Sequence, residues 1–183
     1  EYNNPTQELI SLFVPGDTRK EVTVGVPGGF YDADSVFHAL PTSTNQTYTK
    51  KYFDSSPVRA DSKANWKVIR YADVLLMYAE ALNENGKPQQ AIPFLNQVRT
   101  RAGLEGYPNT MSQTETRDAI VLERRLELSF EGVRWFDLVR TGKAYEVMKD
   151  KGMAPYMTVF PIPLSQVQII NDPTIFPQNP GYD

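Results

Sequence analysis

The sequence predicts a fold that is all-α for the most part, with a long loop-rich N-terminal region and an extended, proline-rich C-terminal strap. Three observations support this fold class. Apolar residues recur at helical spacing from residue 67 onward, glycines stand where the predicted helices end, and six prolines lie between residues 155 and 180. With 183 residues, the chain is long enough to bury one sizeable core.

The N-terminal third is rich in Pro, Gly, Thr, Ser and Asn, a composition typical of loops. We expect residues 1–62 to form a loop-rich segment of a single domain whose helical region covers residues 63–183. The run VTVGV, residues 22–26, is interpreted as an edge strand interrupted by Gly25.

A first helical hairpin is predicted between residues 67 and 102. Helical periodicity places Leu75, Ala79 and Leu82 of the segment KVIRYADVLLMYAEALNENG on one face. Val74 and Met77 lie on the other side, which predicts that this helix is buried nearly all round. Asn85-Gly86 ends that helix, and Pro88 suits the first turn of the next. The spacing of small and large apolar residues matches a tetratricopeptide-like hairpin; one repeat is clear, whereas a solenoid needs about three.

A third helix is predicted from a capping box at Ser112 and Glu115 to about Phe130. A fourth should run near residues 133–149, with an interruption around Gly142. Beyond it, the prolines predict an extended strap with at most one helical turn near residues 164–167.

Residues 123–140, ERRLELSFEGVRWFDLVR, combine many charges with large apolar side chains. Because buried charge is costly unless paired, we expect the carboxylates to pair with arginines in a structural clamp. The carboxylates are Glu123, Glu127, Glu131 and Asp137, and the candidate partners are Arg70, Arg124, Arg134 and Arg140.

A catalytic alternative for the same residues is a glycoside hydrolase, which needs two carboxylates flanking a sugar bond. Glu123 with Glu127, or Glu127 with Glu131, stand one helical turn apart. Adjacent arginines would hold both carboxylates ionised, whereas a general acid needs a raised pKa. Trp135 and Phe136 are expected to pack in the core rather than to form a sugar-stacking platform.

Composition excludes several classes of function. A net charge of -3 without a long basic run argues against nucleic-acid binding. The absence of cysteine and the single histidine, His38, exclude thiolate and multi-histidine metal sites. Asp32 and Asp34 offer too few oxygens for a calcium site. We therefore expect no metal and no cofactor, and we interpret His38 as a hydrogen-bonded, partly buried residue.

Several segments occur in the order found in the C-terminal part of the SusD/RagB family, and the chain resembles that family over residues 49–183. They are IRYADVLLMYAEALNENG, LNQVRTRAGL, ERRLELSFEGVRWFDLVRTGK, FPIP and QNPGY. The resemblance implies a nutrient-binding lipoprotein of the Bacteroidota outer membrane, exposed at the cell surface. Such a protein binds glycans, or in some members peptides, without cleaving them and delivers them to a SusC-like TonB-dependent transporter.

The family's lipidated cysteine and N-terminal helices have no counterpart here, so we expect a C-terminal fragment of a longer protein, without the lipid anchor. The resemblance transfers no ligand site residue by residue. Loops on a rigid scaffold commonly carry binding, and the best local candidates are aromatic and polar residues near the Pro27-Gly28-Gly29 turn. These ligand-binding candidates are Phe30, Tyr31, Asp32, Asn45 and Tyr48.

Two alternatives stay open beside glycan capture. In one, the loop aromatics simply pack down onto the scaffold. In the other, the chain is a tetratricopeptide-like module that grips a peptide or protein in a concave groove lined by polar residues such as Glu80 and Asn83.

Overall fold

The computed structural model describes residues 4–31, 37–39, 46–52 and 64–182. Helices dominate these ranges, as the sequence predicted. In chain order the elements are α1 (Gln7–Leu12), α2 (Arg19–Thr23), β1 (Val24–Gly25), β2 (Gly29–Tyr31), β3 (Phe37–Ala39), β4 (Tyr48–Thr49), α3 (Tyr71–Glu84), α4 (Pro88–Arg101), α5 (Gln113–Glu127), α6 (Arg134–Arg140), α7 (Ala144–Met148), two 3-10 turns (Lys149–Lys151 and Pro155–Thr158) and α8 (Leu164–Ile170).

The N-terminal region carries two short antiparallel strand pairs, β1 with β4 and β2 with β3. The predicted strand over residues 22–26 is wrong in extent, because Val22 and Thr23 end α2 and only Val24 and Gly25 form β1. Gly25 faces Tyr48 across the pair, and a Cβ at Gly25 would overlap the Tyr48 ring. Glycine therefore permits the close approach of β1 and β4.

Helices α3 and α4 form the predicted hairpin and pack against α5. Gly86 adopts a left-handed φ of 73° between them, and Pro88 opens α4. The apolar core at this junction consists of Leu75, Leu76, Ala79, Ala91, Leu95, Val98, Ala119 and Ile120. These are the small and large apolar residues whose spacing indicated a tetratricopeptide-like hairpin.

One side of α3 is exposed, so the expectation that this helix is buried nearly all round is wrong. Tyr71 is 72% exposed, Tyr78 is 51% exposed, and Val74 and Met77 are each 44% exposed. Only the side that carries Leu75, Leu76 and Ala79 is buried. Apolar spacing identified the faces of the helix but did not fix how many of them find a partner within this chain.

Helix α5 begins at the predicted capping box, in which the Ser112 hydroxyl accepts from the Glu115 amide and the Glu115 carboxylate accepts from the Ser112 amide. The helix ends at Glu127, three residues before the predicted end at Phe130. Phe130 has a left-handed φ of 64°, which a helix cannot contain. This turn is part of the path that brings Glu131 back toward the side chains that Glu127 contacts.

The chain divides into two compact units after Val133. In the second unit, α6 and α7 cover the predicted fourth helical stretch, and its interruption falls at Gly142, as expected, where φ is 69°. Phe136 is 69% exposed, which contradicts the expectation that it packs in a core. The seven residues of α8 exceed the single turn predicted there, because Pro163 precedes the helix and costs it no hydrogen bond.

Within the described ranges, no helix combines the length and the apolar character that crossing a bilayer requires.

Candidate ligand-binding cleft

Glu123 is a fully buried carboxylate, with none of its side chain exposed. It accepts hydrogen bonds from Nη1 of Arg19 and Nη1 of Arg99, each at 2.7 Å, and from the Tyr107 hydroxyl at 3.2 Å. Asp17 in turn accepts from Nε and Nη2 of Arg19. The Arg99 guanidinium also lies 4.2 Å from the centre of the Tyr107 ring. Each buried charge therefore has several opposed or hydrogen-bonding partners.

Glu127 and Glu131 share the guanidinium of Arg70, which precedes α3. Arg70 donates from Nη1 to Glu127 at 2.9 Å and from Nε and Nη2 to the two oxygens of Glu131 at 2.8 and 2.7 Å. Glu127 also accepts from Nη2 of Arg101 at 2.6 Å, and Glu131 accepts from the Lys51 ammonium. The bidentate geometry at Glu131 is the strong form of an arginine–carboxylate contact.

Burial and the neighbouring charges shift the pKa values of Glu131, Lys51 and Tyr107. Burial by itself would raise the pKa of Glu131, but hydrogen bonds from Arg70 and Lys51 outweigh it and hold the pKa below its ordinary value of 4.5. Burial lowers the pKa of Lys51 despite the opposing effect of Glu131, and burial with the nearby Glu123 charge raises the pKa of Tyr107 to about 12. At neutral pH Glu131 is therefore an anion, which cannot act as a general acid.

The predicted partners of the carboxylates need correction at several points. Glu123 pairs with Arg19 and Arg99, which the prediction did not include, while Arg124 binds Asp73 on α3 at 2.8 Å. Asp137 binds Arg140 at 2.9 Å within α6, at whose start Arg134 lies. The geometry thus places an arginine on each of the four carboxylates, and their role as a structural clamp stays a prediction.

A cleft of about 530 Å³ lies beside Glu127 and Glu131. Most of its lining residues are polar or charged, and they come from α2, the residues after β4, the segment before α3, the C-terminal end of α4, and the end of α5 with the turn that follows it. The lining residues are Arg19, Val22, Thr23, Lys51, Tyr52, Ala64, Asn65, Lys67, Arg70, Arg101, Glu127 and Glu131.

Two stacked aromatic rings stand at this cleft. Tyr52 lines it, and Trp66 lies over Tyr52 with ring centres 4.8 Å apart and planes inclined by 19°. Trp66 is 59% exposed, and Tyr52 has a left-handed φ of 61°. A bulky residue in that conformation costs about 1–3 kcal/mol, so surrounding contacts must hold it there. Sequence reasoning missed this pair, although a tryptophan between Asn65 and Lys67 was a signal of a polar, exposed setting.

Comparison with known families identifies the chain. A model of the SusD family matches residues 5–169. The chain belongs to the SusD family. SusD-like protein P38 of Formosa agariphila is 36% identical over 156 residues, which are 81% of this chain and 28% of that relative. This SusD-family chain therefore spans less than a third of the length of that curated relative.

Solved structures of SusD-like proteins share the fold. A laminarin-binding SusD-like protein is 34% identical, with a TM-score of 0.68 over 98% of this chain and 38% of its own length. Surface glycan-binding protein A from Bacteroides fluxus is 25% identical, with a TM-score of 0.69 over 98% of this chain and 40% of its own length.

The residues predicted as ligand contacts in this SusD-family chain differ in where the structure places them. Asp32 and Asn45 lie outside the described residues, as does Asp34. Phe30 and Tyr31 lie on β2, opposite His38 and Phe37 of β3 in the backbone pairing. The prediction that Tyr48 contacts the ligand needs correction, because Tyr48 is 8% exposed and its hydroxyl donates to the Gly29 carbonyl at 3.1 Å. Its ring packs on Gly25 and presents no open face to a ligand.

The concave groove of the interaction-module alternative also needs correction. That alternative required Asn83 to face a ligand, but Asn83 is fully buried in α3. Glu80 is partly exposed. Within the described residues, no three His, Asp or Glu side chains are grouped closely enough to hold a metal ion.

Proposed function

We propose that this chain is part of a cell-surface protein that binds nutrient glycans without cleaving them. The observation that carries the proposal is the match, over 98% of the chain at 34% identity, to a SusD-like protein that binds laminarin. The likeness to a surface glycan-binding protein supports the same class of ligand. Peptides, which some family members take, remain the second ligand class to be tested.

Trp66 and Tyr52 are the candidate contacts in the described part of the chain. Sugar rings pack on flat aromatic faces, and Trp66 is exposed while its stacking on Tyr52 holds it in one orientation. The side chains of Asn65, Lys67 and Arg101 lie at the same cleft and supply hydrogen-bond donors for sugar oxygens. Phe30, Tyr31, Asp32 and Asn45 stay predicted contacts.

Binding without cleavage is supported by the state of the carboxylates. A glycoside hydrolase needs one carboxylic acid that keeps its proton and one carboxylate that is free to act. Glu127 and Glu131 are at most 7% exposed in their side chains, and each is engaged by two cationic residues at short distance. Neither is free to attack a sugar or to protonate a leaving group.

In the proposed mechanism, the whole protein is lipid-anchored at the outer membrane and passes its glycan to a SusC-like TonB-dependent transporter. Stacking and hydrogen bonds to hydroxyls give weak, rapidly exchanging binding, which suits transfer of the ligand. Deleting the gene for the partner transporter in the native organism should abolish glycan uptake while leaving binding at the cell surface intact.

The binding test uses isothermal titration calorimetry of this chain with laminari-oligosaccharides and a panel of other glycans, with mass spectrometry of the ligand afterward. We expect binding with no change in ligand mass. Trp66→Ala should weaken the affinity about tenfold, which corresponds to about 1.4 kcal/mol. Phe136→Ala, which removes another exposed aromatic ring, is the matched control and should bind as the unmodified chain does. Shortened oligosaccharides would contradict the proposal, as would the absence of binding to every glycan tested.

A further inference from the structure

The cleft beside Trp66 has an excess of positive charge. Five cationic side chains line it, those of Arg19, Lys51, Lys67, Arg70 and Arg101, against two carboxylates, those of Glu127 and Glu131. Arg19 is also paired with the buried Asp17 and Glu123, so the excess comes from the other four cations. This excess is local, because the whole chain carries a net charge of -3. A cleft that concentrates one sign of charge attracts ligands of the other sign.

Both carboxylates of the cleft are already engaged by the protein. Glu127 accepts from Arg70 and Arg101, and Glu131 accepts from Nε and Nη2 of Arg70 and from Lys51. The side chain of Glu127 is 3% exposed and that of Glu131 is 7% exposed. A ligand in the cleft therefore finds neither carboxylate available as an acceptor for its hydroxyl groups.

Donors, by contrast, remain available. The Arg101 side chain is 59% exposed and contacts Glu127 only through Nη2, which leaves its Nε and Nη1 without a partner among the described residues. The Lys67 ammonium and the Asn65 amide likewise bind no side chain in the described part of the chain. Arg19 and Arg70 are held by carboxylates and contribute charge rather than free N–H groups.

We infer that this cleft takes an anionic saccharide, whose carboxylate or sulfate binds Arg101 and Lys67 while a sugar ring stacks on Trp66. The inference rests on the proposed function and narrows its ligand class. A guanidinium edge matches the two oxygens of a carboxylate or sulfate, and a lysine adds a movable charge. A neutral sugar would instead bring hydroxyl protons that need acceptors, and the cleft's two carboxylates are already occupied.

The test compares ligands that differ only in charge. Calorimetry of this chain would use tetragalacturonate against its methyl ester for the carboxylate, and sulfated dextran against plain dextran of equal length for the sulfate. We expect the charged member of at least one pair to bind about tenfold more tightly or better than its neutral counterpart. Raising the salt from about 50 mM to about 300 mM should reduce that preference, because the contacts are near the surface.

Lys67→Gln and Arg101→Gln should each weaken binding of the preferred anionic ligand about fivefold to tenfold. Lys67→Gln breaks no ion pair within the described residues, so its effect does not depend on a change in folding. Lys87→Gln, at an exposed lysine between α3 and α4, is the matched control and should leave the affinity unchanged.

Equal affinities within both pairs would overturn the inference, as would full binding of the preferred anion by the Lys67 variant. A chain that binds neutral glucans but discriminates against both anions would overturn it while leaving the proposed glycan-binding function in place. Failure with every glycan, neutral and charged, would overturn both.

Discussion

The two halves of α5 are stabilised by different kinds of contact. In the N-terminal half, Ala119 and Ile120 pack into the apolar core with α3 and α4. In the C-terminal half, Glu123 and Glu127 are equally buried but are surrounded by guanidinium groups from α2, α4 and the residue before α3. Leu126 in the C-terminal half also packs on Phe13 and Val24 of the N-terminal region, so charge there adds to apolar contact, whereas the core contacts of the N-terminal half are apolar.

Because the contacts differ, substitutions in the two halves of α5 should lower stability in different ways. Apolar packing loses stability in proportion to the volume removed, whereas an ion-pair network fails when one member leaves and its partners stay buried and charged. The ionic half also adjoins the cleft, so the side chains that hold the scaffold supply part of the cleft's charge. The apolar half contributes to stability alone.

The largest effect is expected at Glu123. Glu123→Gln leaves the buried Arg19 and the partly buried Arg99 without their shared carboxylate, which should lower the free energy of unfolding by about 3–5 kcal/mol. Urea unfolding followed by circular dichroism measures it. A loss below about 1 kcal/mol would mean that Glu123 contributes no more to stability than an exposed residue does.

The apolar core into which the N-terminal half of α5 packs is tested at Leu95, which is fully buried in α4. Leu95→Ala should reduce the free energy of unfolding by about 3 kcal/mol through lost transfer energy and a residual cavity. Met77→Ala on the exposed side of α3 is the control and should cost less than about 1 kcal/mol. Equal losses at both positions would contradict the assignment of a single buried face to α3.

The start of α5 is tested at Ser112. Ser112→Ala removes the hydroxyl that accepts from the Glu115 amide and should cost about 1 kcal/mol. Ser112→Asp keeps an acceptor at the cap and should restore most of the loss in the same urea experiment. No difference between the Ala and Asp variants would show that the capping box contributes nothing measurable.

The smallest effect is expected at an exposed ion pair of good geometry. Glu84 accepts from Nε and Nη2 of Arg117, each at 2.7 Å, but both side chains are more than 40% exposed. A double-mutant cycle with Glu84→Gln and Arg117→Gln should give a coupling much smaller than the Glu123 effect, because water screens an exposed pair. A coupling as large as the Glu123 effect would remove the distinction between buried and exposed pairs.

Periodicity recovered the hairpin because the decisive contacts are close in sequence. Leu75, Ala79, Ala91 and Leu95 fall on the buried faces that their spacing indicated, and local chemistry located the cap at Ser112. The partners of Glu123 were missed in part because Arg19 lies 104 residues away. No local pattern identifies which distant arginine will reach a given carboxylate.

The candidate ligand contacts likewise depend on tertiary neighbours that the sequence does not reveal. Tyr48 was nominated for its residue type, yet the close approach of Gly25 turns it into a packing residue. Trp66 and Tyr52 meet through a left-handed backbone at Tyr52, which sequence spacing does not reveal. The charge of the cleft likewise depends on tertiary neighbours, since Lys51, Lys67 and Arg101 come from separate segments.

The central claim is that Glu131, which shares Arg70 with Glu127 at the end of the ionic half, is a charged partner of arginine and performs no proton transfer. The most direct measurement is a carbon-13 NMR titration of the Glu131 side-chain carboxyl in the folded chain. We predict a midpoint below the ordinary pKa of 4.5. The contribution of Glu131 to the free energy of unfolding should be complete above pH 4.5 and should be lost as the pH falls through the pKa of the folded chain. A midpoint near 6, where a general acid titrates, would contradict the claim.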